Sequence, residues 1–135
     1  MILITVYGLD QFVTGNYSKE NTKGLAQLFE VKEEEIVFYS PNSFVFQRGV
    51  EQSSWEAIVR VACDHKYEKI AKQVADYFAK TMTGFCINVF VQFEYFHGEV
   101  FEYVNEKYPR FLEEKNMVNV ETPNTEDIDI TDENE

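Results

Sequence analysis

The stretch Trp55-Glu56-Ala57-Ile58-Val59-Arg60-Val61-Ala62-Cys63-Asp64 decides the fold. Trp55, Ala57, Val59, Val61 and Cys63 alternate with Glu56, Ile58, Arg60 and Ala62. A two-residue period with one apolar and one mixed face predicts a strand packed on one side only. Asp64 is a good helix cap. After it the period changes: Tyr67, Ile70, Ala71, Val74, Phe78 and Met82 form one stripe, which predicts an amphipathic helix over about Lys66 to Met82. Gly84 stands where a C-terminal cap belongs. Ile87, Val89, Val91 and Phe93 then alternate with Asn88, Phe90, Gln92 and Glu94, so the chain returns as another one-sided strand.

The first half repeats the plan. Met1 to Tyr7 is a β-branched, apolar run closed by Gly8, and both of its faces are largely apolar, as in a central strand buried on two sides. Gly15-Asn16-Tyr17-Ser18 reads as a turn and helix start capped by Asn16 or Ser18, with Tyr17, Leu25, Leu28 and Phe29 on one helical face. Gly24 inside that helix marks a close helix-to-sheet contact. Lys32-Glu33-Glu34-Glu35 is a charged turn before a strand over Ile36 to Tyr39. Phe44 to Phe46 is a short extended piece, and Arg48 to Ser53 a loop.

Two β-α-β units therefore succeed one another, and the expected class is α/β (α+β). Right-handed crossovers place both helices on one face of a four-stranded sheet, with the two leading strands adjacent and antiparallel in its centre. A C-terminal hairpin should come next, turning at His97-Gly98 and returning over Val100 to Val104. Tyr108-Pro109-Arg110-Phe111-Leu112 would anchor its end. Residues 1–112 form the expected domain, and 113–135 an acidic, largely disordered tail, in which Asp127-Ile128-Asp129-Ile130 alone has strand-like alternation.

The formal net charge is −12, of which −7 lies from Glu121 onward without a Lys or Arg. No basic footprint for nucleic acid exists, and the negative field repels anionic lipid heads. No apolar run approaches a membrane span, and the N-terminus lacks the pattern of a signal peptide. A cytoplasmic protein is expected. Cys63 and Cys86 form no C-x-x-C pair and read as reduced core thiols. His65 and His97 lie far apart without a third ligand at set spacing, so no metal is expected. No G-x-S-x-G and no phosphate-binding glycine loop is present, and no cofactor is implied.

The second sheet face carries Glu56, Ile58, Arg60, Asn88, Phe90, Gln92 and Glu94. It is too apolar to sit bare in water, and another copy of the chain is the simplest cover.

The order and spacing resemble the tautomerase (macrophage migration inhibitory factor-like) superfold, and more narrowly an uncharacterised bacterial branch of it, a domain of unknown function. The resemblance rests on Leu3-Ile4-Thr5-Val6-Tyr7-Gly8, on Glu33-Glu34-Glu35-Ile36-Val37-Phe38 followed by Ser40-Pro41-Asn42-Ser43-Phe44, on Trp55 to Met82, and on Val89-Phe90-Val91 through Tyr95-Phe96-His97-Gly98. It implies a homo-oligomer, typically a trimer. A ferredoxin-like monomer shares the two β-α-β units and is the alternative architecture. Enzymes of the superfold use an N-terminal proline as general acid or base, and here the second residue is Ile2. No catalytic assignment carries over.

The remaining candidates for chemistry are the Met1 amine, Arg60 as a binder of a small acid ligand, and Glu94 as an acid or base. All three would approach one another if the start of the first strand meets the end of the third. Against this stands an inter-strand ion pair of purely structural meaning. The expected function is a non-catalytic oligomeric module binding a partner or small ligand. The alternative is a divergent tautomerase acting on small keto or enol acids without the proline.

Overall fold

The computed structural model describes residues 1–116. The chain divides into two compact units, the first of which is Met1–Glu99. The order in the first unit is β1 (Ile2–Tyr7), α1 (Gln11–Phe29), β2 (Ile36–Tyr39), β3 (Phe46–Gln47), β4 (Val50–Glu51), β5 (Glu56–Asp64), α2 (Ala71–Thr81) and β6 (Asn88–Phe96). One sheet has the order β2-β1-β5-β6. β1 pairs with β2 in parallel and with β5 antiparallel, and β5 pairs with β6 in parallel. This is the expected mixed sheet with its two leading strands central.

The register sorts side chains onto two faces. Ile2, Ile4, Val6, Ala57, Val59, Val61 and Cys63 are buried under both helices, where Tyr17, Leu25 and Phe29 of α1 meet Val74 and Phe78 of α2. Tyr17 sits at the centre, fully buried, with its ring 6.1 Å from that of Phe78 and its hydroxyl 2.5 Å from Thr81 Oγ1. A buried phenol needs such a partner. Burial also raises the Tyr17 hydroxyl well above its ordinary range. Both cysteines are free and buried.

Several local elements differ from expectation. α1 starts at Gln11, capped by Asp10, whose Oδ1 accepts from the Val13 amide at 2.8 Å. Gly15 and Asn16 lie inside the helix because the earlier cap already closes its first turn. Gly24 faces the other helix rather than the sheet: a Cβ there would stand 2.3 Å from the Tyr77 hydroxyl. Asp64 does act as a cap at the end of β5, accepting from Lys66 N at 2.8 Å, but His65–Ile70 is a 3-10 turn and α2 begins only at Ala71. The loop expected over Arg48 to Ser53 holds a hairpin. Arg48 and Gly49, both with positive φ (52° and 83°), turn β3 into β4. Positive φ at both central residues is what a two-residue hairpin turn requires.

The second unit begins at Val100. Its described residues contain no strand, so the return strand expected over Val100 to Val104 does not form. The segment expected to anchor the end is largely exposed: Tyr108 and Leu112 stand in solvent. A 3-10 turn covers Glu114–Asn116, and Arg110 pairs with Glu102 at 2.9 Å. The rest of the tail, including Asp127 to Ile130, lies outside the described residues. No helix among the described residues is long and apolar enough to cross a membrane.

Candidate functional site

The sheet face away from the helices holds the candidate site. Its rows come from the register: Tyr7, Ile58 and Phe90 in one, Thr5, Arg60 and Gln92 in the next, Leu3, Ala62 and Glu94 beyond. Side chains over β1 and β5 are half-buried. Those over β6 are exposed, Phe90 by 56%.

Arg60 and Glu94 form an ion pair through Arg60 Nη2 and Glu94 Oε2. The pair is diagonal across β5 and β6, where long side chains on one face reach each other. Both groups are more than a third exposed, so the pair contributes little to stability. The Met1 amine is held elsewhere, 3.1 Å from Glu35 Oε1 at the head of β2. The register puts Thr5, not Met1, opposite Arg60. Four strand steps separate the two along β1, on the order of 13 Å. The structure therefore brings Arg60 to Glu94 and places Met1 with a carboxylate that sequence reasoning did not single out.

A cavity of about 400 Å³ opens on this face, lined by Tyr7, Ile58, Arg60 and Gln92 of the sheet and by Ser43, Phe44 and Val45. The segment after β2 brings these last three over β1 and β5. Two buried polar atoms on this lining lack a hydrogen-bond partner: Arg60 Nε and Ser43 Oγ. Buried donors are nearly always paired, so both stand out, but neither has accessible surface through which a molecule in the cavity could reach it. Ser43 had no signal in the sequence beyond its place in a turn after Pro41.

A second cavity of about 490 Å³ lies at the C-terminal ends of β1 and β2, between the Gly8–Phe12 turn and Ser40–Phe44. Its charged lining, among the described residues, is Asp10 and Glu51, with no cation. Asp10 caps α1 and Glu51 holds Ser53, so both carboxylates already serve the backbone around them.

His65 and His97 are brought together, their rings stacked 4.4 Å apart, and Asp64 Oδ1 lies 3.3 Å from His65 Nδ1. Stacked rings do not aim their nitrogens at a common point. Among the described residues no group of three or more His, Cys, Asp or Glu is placed to hold a metal ion.

No protein-family model and no curated protein sequence matches the chain. Its architecture does match solved structures. A domain of unknown function (DUF1904) from Sebaldella termitidis ATCC 33386 superposes with a TM-score of 0.64 at 15% identity, covering 72% of this chain and 90% of that one. A macrophage migration inhibitory factor-like protein from Entamoeba histolytica gives 0.57 at 15% identity, over 76% of this chain and 92% of that one. A protein of unknown function from Vibrio cholerae O1 biovar eltor str. N16961 gives 0.52 at 13% identity, over 70% and 77%. The sheet order, the two helices on one face and these likenesses agree: the chain has the tautomerase, or macrophage migration inhibitory factor-like, fold.

Proposed function

We propose that the chain is a non-catalytic, self-associating tautomerase-fold module, a trimer of the cytoplasm, that holds a small acid ligand or a partner on the open face of its sheet through Arg60. The observation that carries this is the state of that face. Phe90 is 56% exposed on the last strand, beside a cavity whose lining includes Arg60. Self-association covers the β6 side, where exposure is greatest, and leaves the cavity over β1 and β5 to a ligand.

Catalysis through the N-terminus is disfavoured on chemical grounds. A general base needs a lone pair aimed at the substrate carbon. The Met1 ammonium faces Glu35 instead, and Ile2 stands where the superfold's enzymes place proline. Two measurements test the reading. Purified protein given phenylenolpyruvate-type enols is expected to show no turnover above buffer. A Phe90→Asp variant is expected to become monomeric while keeping its circular dichroism. Wild-type turnover that persists after the N-terminal amine is blocked would replace this reading with a divergent isomerase using Glu94 or another carboxylate.

A further inference from the structure

The segment between β2 and β3 is held at its ends and not in between. Tyr39 pairs with Thr5 of β1, and the Val45 carbonyl accepts from Gln52 N at 2.7 Å. Residues 41–44 make no hydrogen bond among the described residues, by backbone or by side chain. Folded chains average about one such bond per residue. Packing does not compensate: none of the four is buried, and Phe44 is 64% exposed.

The segment nevertheless closes something. Ser43 and Phe44 line both the cavity of about 490 Å³ beyond the ends of β1 and β2 and the cavity of about 400 Å³ over Ile58 and Arg60. They form the wall between the two, with Tyr7 on one side of it and Gly8 on the other. That wall is unfavourable where it lies. Ser43 Oγ is shut away from solvent without a partner, and so is Arg60 Nε on the sheet side of the smaller cavity. Polar atoms in that state favour any rearrangement that lets water reach them. A segment with no bond of its own and two unmet groups beside it opens far more readily than the core around it.

We infer that residues 41–44 are a strap, anchored at Tyr39 and Val45, that lifts from the sheet, joins the two cavities into one cleft and bares Ser43 Oγ and Arg60 Nε. Closed, the strap keeps both atoms out of reach of anything in the cavities. Lifted, it opens the donor edge of Arg60. The strap therefore sets when that edge can be used, whatever uses it. The inference goes beyond the self-association and ligand-holding proposed for the open face and stands without either.

The test uses thiol chemistry in the full-length chain. Ser43→Cys puts a sulfur where the occluded hydroxyl stands, while Cys63 and Cys86, both buried, report any wider opening of the same molecules. With iodoacetamide the new thiol is expected to be alkylated at least about a hundredfold faster than Cys63 and Cys86, because local opening needs far less free energy than global opening. A second readout needs no added sulfur. In ¹⁵N-labelled protein the Arg60 Nε–H exchanges with water through strap opening. Ser43→Ala removes the unmet hydroxyl, favours the closed position and should slow that exchange about fivefold. The same spectra show that the variant is folded. A new thiol no faster than the two buried ones, or an Arg60 Nε–H whose exchange Ser43→Ala leaves unchanged or quickens, would each overturn the inference.

Discussion

The Tyr77 hydroxyl occupies the place that a side chain on Gly24 would need, 2.3 Å from where its Cβ would lie. The same hydroxyl donates to Asn21 Oδ1 at 2.9 Å, one turn earlier on α1. A glycine that weakens an isolated helix thus allows the two helices to approach and bond. Gly24→Ala gains about 1 kcal/mol of helix propensity but must displace the ring and break that bond, at about 1–3 kcal/mol. We expect a net loss of about 1 kcal/mol by urea denaturation, shrinking by at least half in a Tyr77→Phe background. An equal penalty in both backgrounds would show that the hydroxyl is not the obstacle.

Gly8 is more demanding. Its φ is +94°, and a Cβ there would lie 2.3 Å from the Glu56 carbonyl oxygen, a backbone atom that cannot swing aside. Gly8→Ala should cost more than Gly24→Ala, on the order of 2–4 kcal/mol from strain and overpacking together. Thermal melts of the two variants side by side decide it, and a smaller loss at Gly8 would contradict the account.

Much of this architecture is legible in the sequence, and the parts that are not have physical reasons. The strands β1, β5 and β6 are long enough for their two-residue period to show, and Asp64 stops β5 by capping the turn after it. The start of α1 is misplaced by local pattern because Gly15-Asn16 looks like a turn. Asp10, five residues earlier, outcompetes it by capping first. The hairpin of Phe46–Gln47 and Val50–Glu51 is too short for any period, and only the paired positive φ of Arg48 and Gly49 defines it. Val100 to Val104 has strand-like composition, yet it forms no strand. At the site, Arg60 stands out as a lone cation on a mixed face. Ser43 does not, since its place beside Arg60 on the cavity wall comes from a chain path that local pattern cannot reveal.

Alkaline pH should destabilise the protein. Burial, with the Asp64 charge adding, pushes the Cys63 thiol from 9.0 up to about 11. Burial also raises Cys86, with Glu56 adding, and raises Tyr17, Tyr77 and Tyr95. These groups hold their protons longer in the folded state than in the unfolded chain. Stability is therefore complete below about pH 9 and is lost as the unfolded thiols and then phenols ionise, with Cys63 contributing about 2–3 kcal/mol by pH 11. Urea midpoints at pH 8 and pH 10.5 should fall accordingly, and less steeply in Cys63→Ala. A flat profile would mean that these groups are not sequestered.

The Asp10 cap makes a smaller, local claim. Asp10→Ala removes the acceptor of the Val13 amide and should cost about 1 kcal/mol, while Asp10→Asn, which keeps an acceptor, should cost less. Equal losses would point to the charge rather than the hydrogen bond.

The central claim is that the open sheet face, with Phe90 exposed on β6, is covered by further copies of the chain. Light scattering of the full-length protein at micromolar concentration measures this directly. The account predicts a particle of three times the 15.8 kDa chain mass. A particle of a single chain mass at that concentration would contradict it.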